Sequence, residues 1–212
     1  EPMPLYIIPD RNVSLADVRE GMRNHYEGTE LSMTNDPGAG VYKVPYRWRP
    51  MTFKSEGREY FNERAIATQQ TGFVLIAQMR SWLPDAVGGI LWFGVDDANT
   101  AVLTPMYTSI TEIPECYRRG NGSMTEFSWT SAFWIHNWVA NMAYNRYEPM
   151  IRDIRPVQKE LEDSYVDLVK NTDAKALELL KSSPAQATAY LTEVCGKVAN
   201  EATARWKKLG EY

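Results

Sequence analysis

The N-terminal part of the chain carries one helical pattern of apolar residues. Three apolar side chains recur there at spacings of three and four: Leu15, Val18 and Met22. Ser14 stands before them as a helix-capping residue, and Asp17 places negative charge in the first turn. Gly28 is a typical helix stop. The pattern therefore predicts a surface helix from about 14 to 27.

Two runs in the middle of the chain are apolar at almost every position. They cover 73–77 and 90–95 and contain β-branched residues, which favours strands buried on both faces. The oxygen-rich segment 96–99 is typical of a turn, after which 101–107 returns as a third strand. This order predicts an antiparallel meander in a sheet that is covered on both sides.

The segment between the first helix and these strands is rich in turn-forming residues. From Gly28 to Gly57 no regular element is predicted, and Pro45 and Pro50 frame a cluster of aromatic and basic residues at 46–49. A long irregular segment of this kind is either a packed connection or a loop beside a substrate pocket.

Helical spacing dominates the rest of the chain. A helix is predicted to begin at Thr130 or Ser131, apolar almost all round and therefore buried: Trp134, Trp138 and Met142 lie on one face, with Phe133, Ala140 and Tyr144 opposite. Prolines at 149 and 156 are predicted to interrupt the pattern. Three further helices follow, over 157–171, 172–182 and 183–210.

The pattern as a whole predicts an α+β protein in two parts. A sheet-containing part with long loops spans 1–129, and a helical C-terminal region that packs on the same domain spans 130–212. With 44% hydrophobic and 12% aromatic residues the chain can bury a core. A net charge of −4 argues against nucleic-acid binding, and the longest apolar run is too short to cross a bilayer.

Cysteine and histidine give little support for a self-contained catalytic or metal site. Cys116 has arginines at 118 and 119 that could favour its thiolate, but a packed thiol is the simpler interpretation. Its general base would have to be His25 or His136, and neither has a recognisable catalytic context. With Cys195 as the only other cysteine, the spacings match no zinc site.

Polar residues at the two ends of the first predicted strand are the candidate substrate-binding groups. Asn62 and Arg64 precede it and could bind a peptide carboxylate or orient a catalytic cysteine, although tying down the strand is an equal alternative. Arg80 and Trp82 follow it and could form a substrate rim with the basic residues at 47 and 49. Ordinary ion pairing and stacking are the default interpretation of these two.

Several segments together resemble one enzyme family. They are YFNERAIATQQTGFVLIAQMRSWLPD, GGILWFGVDDANTAVLTPMY, LYIIPDRNVSLADVREGMRNHYEGT, PYRWRP, IPECYRRGNG and EFSWTSAFWIHNWVANMAYNRY. This string is similar to the C-terminal half of the PepD or dipeptidase A type of cysteine dipeptidase, within the N-terminal-nucleophile hydrolases. The likeness covers most of 5–160.

The resemblance implies a fold and a mechanism. The fold would be an αββα sandwich of two antiparallel sheets, and the enzyme would act on peptide or dipeptide substrates without metal or cofactor. The nucleophile would be the first residue of the mature chain, activated by its own α-amine. Glu1 cannot play that part. We therefore expect a C-terminal fragment without a catalytic residue of its own, completed by the missing N-terminal part of the same enzyme.

Two other functions stay open at this point. One is a non-catalytic module that binds peptides through its aromatic loops, or mediates assembly through its helical tail. The other is a self-contained cysteine hydrolase that uses Cys116. Substrate preference, cellular location and formation of a homo-oligomer are not determined by the sequence.

Overall fold

The computed structural model describes residues 4–45, 52–61 and 64–212. Their strands are β1 Thr52–Ser55, β2 Arg58–Phe61, β3 Phe73–Met79, β4 Gly89–Val95 and β5 Thr104–Tyr107. Their helices are α1 Leu15–Met22, α2 Asp85–Gly88, α3 Ala132–Asn145, α4 Tyr147–Ser182 and α5 Pro184–Glu211. The predicted α+β class, with antiparallel strands followed by long helices, is confirmed.

The central sheet has the strand order β3–β4–β5, and both pairs are antiparallel, as the meander prediction requires. Because successive side chains point to opposite faces, Val74 and Ile76 of β3 are buried while Phe73, Leu75 and Met79 are 63%, 43% and 60% exposed. The described residues therefore bury only one face of β3, and cover of its other face stays a prediction. One face of β3 remains open.

Helices α3, α4 and α5 pack together, and α4 and α5 both contact β5. The core between these helices and the sheet contains Ile90, Trp92, Leu191 and Trp206, all at most 2% exposed. Helix α3 is buried on one side, but Phe133 on its other side is 44% exposed. The prediction that this helix is buried almost all round is therefore wrong for the described chain. No helix within the described residues has the length and apolar character needed to cross a membrane.

Helix α4 runs without a break for 36 residues. The predicted interruptions at Pro149 and Pro156, and the predicted boundary between 171 and 172, are wrong. Pro149 is the third residue of the helix, where the backbone nitrogen has no intrahelical acceptor to bond. Pro156 lies in the helix interior, so tertiary packing outweighs the lost hydrogen bond there. The capped start of α5 at Ser183 and Pro184 is confirmed.

The N-terminal elements differ from their predictions in length. Helix α1 begins with the predicted cap, in which Ser14 and Asp17 exchange hydrogen bonds, but it ends at Met22 rather than 27. The chain then turns through Tyr26 at a φ of 62°. Strands β1 and β2 form a hairpin in the stretch expected to be irregular, and its turn at Glu56-Gly57 has positive φ at both residues.

Candidate functional site

The chain that leads into β3 is tied to the segment after α1. The Tyr26 hydroxyl donates a hydrogen bond to the Arg64 carbonyl at 3.3 Å, and the Ala67 amide donates to the Asn24 carbonyl at 3.0 Å. The exposed Arg64 side chain donates from Nη1 to Gln70 Oε1 at 3.2 Å. The Arg64 guanidinium is therefore held at the surface, in the segment that precedes the N-terminal end of β3.

A line of side-chain amides connects the same segment to the end of β4. Gln69 donates to Asn141 at 3.1 Å, Asn141 donates to Asn137 at 2.9 Å, and Asn137 donates to Asp96 at 3.0 Å. The two asparagines are one helical turn apart on α3, which aligns them for this relay. We call Arg64, Gln69, Gln70, Asp96, Asn137 and Asn141 the β3 N-terminal cluster.

Asp96 is the buried end of this cluster. Its backbone has a φ of 67°, and its amide donates to the Gly72 carbonyl at 2.9 Å, which ties the ends of β3 and β4 together. The side chain is almost fully buried, and this burial raises the carboxyl pKa to about 6, although the Asn137 amide opposes the shift. A non-glycine residue in this conformation with a perturbed carboxyl is typical of a functional position.

A cavity of about 670 Å³ opens beside Asn137. Its walls are mostly apolar, with two arginines and the Asn137 amide among them. We call it the Cys116 cavity; its lining includes Phe93, Cys116, Tyr117, Arg118, Arg119, Ser131, Trp134 and Asn137. An apolar wall with a few polar groups is the usual character of a small-molecule pocket. The cavity has room for an amino-acid side chain and offers donors to a peptide.

A second polar network lies under the loop from Asp96 to Leu103 that joins β4 to β5. Asn99 donates to the Arg23 carbonyl at 2.8 Å and accepts from the Tyr147 hydroxyl at 2.9 Å. Asp97 accepts from the Tyr144 hydroxyl at 3.1 Å, and burial raises its carboxyl pKa. His25 is fully buried, with ring nitrogens 3.2 Å from Asn99 and 3.4 Å from Tyr144. Side chains and backbone groups from several elements therefore hold this loop in place.

Comparison with known proteins decides the family. Residues 1–160, three quarters of the chain, match the profile of Peptidase family C69. The chain belongs to this family. It is 28% identical over 204 residues to a probable dipeptidase of Latilactobacillus sakei, covering 95% of this chain and 38% of that protein. It is 26% identical over 202 residues to probable dipeptidase B of Lactococcus lactis subsp. lactis, covering 94% and 37%.

A third relative is dipeptidase A of Lactobacillus helveticus, at 23% identity over 164 residues, covering 76% of this chain and 28% of that protein. The predicted family resemblance is confirmed. The chain spans less than two fifths of the length of these relatives.

The structure separates the predicted substrate-binding residues of this C69 chain. Arg64 lies in the β3 N-terminal cluster, before β3, while Arg80 and Trp82 follow the other end of that strand. Asn62 falls outside the described residues, as do the basic positions 47 and 49. The Trp82 side chain is 76% exposed on the loop before α2.

Arg80 is buried and its guanidinium is engaged within the fold. It forms an ion pair with Asp173 of α4, and it donates to the carbonyls of Val87 at 2.6 Å and Gly88 at 3.2 Å. The Tyr107 hydroxyl donates to the same Asp173 carboxylate at 2.7 Å. These contacts join the end of β3 to α4, which favours a role for Arg80 in packing.

Cys116 lines the cavity but does not have the surroundings of a nucleophile. Its side chain is 4% exposed, and burial raises the thiol pKa to about 11, opposite to the direction that an attacking thiolate needs. His136 is stacked on Trp206, and burial lowers its pKa to about 3. The environment of Cys116 therefore disfavours the self-contained cysteine hydrolase.

The sequence did not single out Asp96, Asn137 and Asn141 as site residues. The pattern at 96–99 is typical of a turn, and the asparagines lie within an aromatic helix pattern. One signal in the sequence is that asparagines at 137, 141 and 145 recur every four residues on a helix that is mostly apolar. Such a polar stripe indicates a shared hydrogen-bonding partner.

Proposed function

We propose that this chain is the C-terminal segment of a cysteine dipeptidase, and that the nucleophile lies outside these 212 residues. Family C69 membership and three relatives named as dipeptidases support the reaction class. The observation that carries the proposal is the open apolar face of β3, together with relatives that extend well beyond the matched region. Peptide or dipeptide is the substrate class.

The open face of β3 is the surface on which a second sheet would pack. Phe73, Leu75 and Met79 project from it, and Leu91 and Phe93 of β4 lie beside them and are only partly buried. The helices cover the opposite face. Packing of another antiparallel sheet here would bury this apolar area and produce the αββα order expected of an N-terminal-nucleophile hydrolase.

In the proposed reaction, an N-terminal cysteine supplied by the rest of the protein attacks the peptide carbonyl. Its α-amine takes the thiol proton and later gives a proton to the leaving amine, and water releases the acyl group. This chain contributes groups that hold the substrate. Arg64 suits a substrate carboxylate because its guanidinium is at the surface, and we include Asn62 as its neighbour in sequence.

The Cys116 cavity is the proposed location of an apolar side chain of the substrate. Asn137 is held by Asp96 and Asn141, so that its amide has a fixed orientation at the cavity wall. A fixed amide can hydrogen-bond a peptide group without a large loss of side-chain entropy. The proposed binding surface thus extends from Arg64 through Asn137 to the cavity.

The test is release of amino acids from dipeptides by this chain and by a longer protein that includes the upstream part of a C69 dipeptidase, with intact mass measured for both. We expect activity only in the longer protein, carrying an N-terminal cysteine. In that protein, Arg64→Ala should lower kcat/KM by about 10- to 100-fold, in line with loss of a charge-assisted hydrogen bond. Arg11→Ala, which removes another exposed arginine, is the matched control.

Activity of the 212-residue chain itself would overturn the proposal and return attention to Cys116. Saturable binding of a dipeptide to this chain, with an inactive longer protein, would instead favour the non-catalytic peptide-binding module. The Cys116 cavity is the feature that makes this second function worth testing.

A further inference from the structure

Helix α1 and its C-cap residue provide two buried arginines that share one carboxylate. Arg19 and Arg23 lie one helical turn apart, with side chains 7% and 6% exposed, and both face Glu162 of α4. Arg23 forms a close ion pair with Glu162, and the Leu103 amide donates to the same carboxylate oxygen at 2.9 Å. Arg19 Nη1 is 3.9 Å from the other oxygen of Glu162, beyond hydrogen-bond distance.

Arg19 is therefore a buried cation with an incomplete set of partners. Among the described residues, its Nε and Nη2 have no hydrogen-bond acceptor. The guanidinium lies 4.6 Å from the centre of the Trp92 ring, which stabilises the charge only in part. Burial lowers the pKa of Arg19, and repulsion from Arg23 acts in the same direction, while Glu162 opposes both. Glu162 therefore compensates Arg19 only in part, because the closer Arg23 shares the same carboxylate.

A cavity of about 280 Å³ lies beside these residues, between α1 and α4. Arg155 and Lys159 add further positive charge to its wall. The acidic groups on the wall are Glu20, Glu162 and Asp163, and Asp163 is paired with Lys159 at 2.5 Å. Glu20 is 77% exposed, with its carboxylate 3.8 Å from Arg23. The wall therefore has four basic and three acidic groups, which gives it a net positive charge.

We infer that this cavity is a binding site for a small oxyanion of the carboxylate class, held between Arg19 and the basic side chains of α4. A guanidinium donates in a planar geometry that suits a carboxylate better than a spherical halide. The volume accommodates a group of the size of acetate, since one water occupies about 30 Å³ in the liquid. The site lies in a cavity separate from the Cys116 cavity and does not depend on the proposed dipeptidase reaction.

The test is thermal unfolding of the 212-residue chain while acetate replaces chloride at constant ionic strength and pH. We expect a saturable rise in Tm of about 3–5 °C once acetate reaches roughly ten times its dissociation constant. Arg19→Met should abolish the saturable rise. This variant is expected to fold, because replacing a buried charge that lacks partners by an apolar side chain of similar length is tolerated. Arg152→Met, which removes an exposed cation of α4, is the matched control and should retain the rise.

Glu162→Gln provides an independent measurement. It removes the shared negative charge but keeps a side-chain oxygen for Arg23 and the Leu103 amide, so acetate should bind at least several-fold more tightly. The inference would be overturned if Tm changed equally and without saturation on adding acetate to the wild-type chain, Arg19→Met and Glu162→Gln. The same titration on a longer protein identifies the source of the carboxylate: a retained rise indicates a free ligand, and a lost rise indicates an acidic side chain from the added part.

Discussion

Asp96 is a buried carboxyl whose ionisation opposes folding. Its pKa is about 6 in the folded chain, against an ordinary value of 3.8, so the folded state holds the proton more tightly than the unfolded state. The contribution of Asp96 to stability is therefore present below about pH 4 and lost as the pH rises to about 6. The loss in unfolding free energy is on the order of 1–3 kcal/mol. Urea unfolding at pH 4.5 and pH 7.5 measures it.

Asp96→Asn is the variant that isolates this effect. Asparagine keeps an oxygen for the Asn137 amide, tolerates a positive φ, and carries no titrating proton. We expect the difference in unfolding free energy between the two pH values to shrink by about 1–3 kcal/mol in this variant. Asp97 also has a raised pKa but is unchanged in both proteins. An identical pH dependence in the two proteins would show that Asp96 is already ionised at pH 4.5.

Substitution of Arg80 tests whether this predicted binding residue instead stabilises the fold. Arg80→Met leaves Asp173 without its cation and two carbonyls without their donor, so the unfolding free energy should fall by about 3–5 kcal/mol. Denaturant unfolding of the 212-residue chain provides the measurement. The control is Arg152→Met, which removes an exposed pair with Glu148 and should cost less than about 1 kcal/mol. Unchanged stability with weaker peptide binding would return Arg80 to the substrate rim.

At the scale of the element, helix α4 contains an interior proline, Pro156, that lowers the stability of the fold. Pro156 has no N–H for the carbonyl of Arg152, and its ring crowds that carbonyl. Pro156→Ala should therefore raise the unfolding free energy by about 1–3 kcal/mol, measured by urea unfolding. Pro149→Ala is the matched control and should change stability by less than about 0.5 kcal/mol, since Pro149 lies in the first turn. A loss of stability in Pro156→Ala would indicate that packing of α4 requires a bend there.

The elements that the sequence predicted well are those whose signals are local. The cap at Ser14, the proline start of α5 and the apolar runs of β3 and β4 each depend on neighbouring residues. The continuity of α4 was missed because proline is a local signal that long-range packing overrides. The β1–β2 hairpin was missed because its turn residues, Glu56 and Gly57, lie among other turn formers.

The candidate site was less predictable, since its contacts join distant positions. Asn137 and Asp96 are 41 positions apart, and Arg80 and Asp173 are 93 apart. Whether an arginine faces a substrate or a buried carboxylate depends on such partners, which a local pattern does not contain. Arg64 could be singled out because its polar neighbours precede a buried strand, and its role in binding stays a prediction.

At the scale of the whole molecule, the open face of β3 can be tested as a packing surface. A substitution there should affect a longer C69 dipeptidase more than it affects this chain alone. Leu75 is 43% exposed here and would become buried under a second sheet. Leu75→Ser should change the unfolding free energy of this chain by less than about 1 kcal/mol. In the longer protein it should cost about 1.5–3 kcal/mol, because the apolar side chain would be fully buried there.

Val166 of α4 is the matched control for Leu75, because it is an aliphatic side chain with 45% exposure. It lies on a helix of the opposite layer, where no second sheet is expected. Val166→Ser should have the same small effect in the chain and in the longer protein, as measured by denaturant unfolding of both. If Leu75→Ser and Val166→Ser behave alike in the longer protein, no sheet packs on β3. The proposed nucleophile would then have to reach the substrate from another side of this domain.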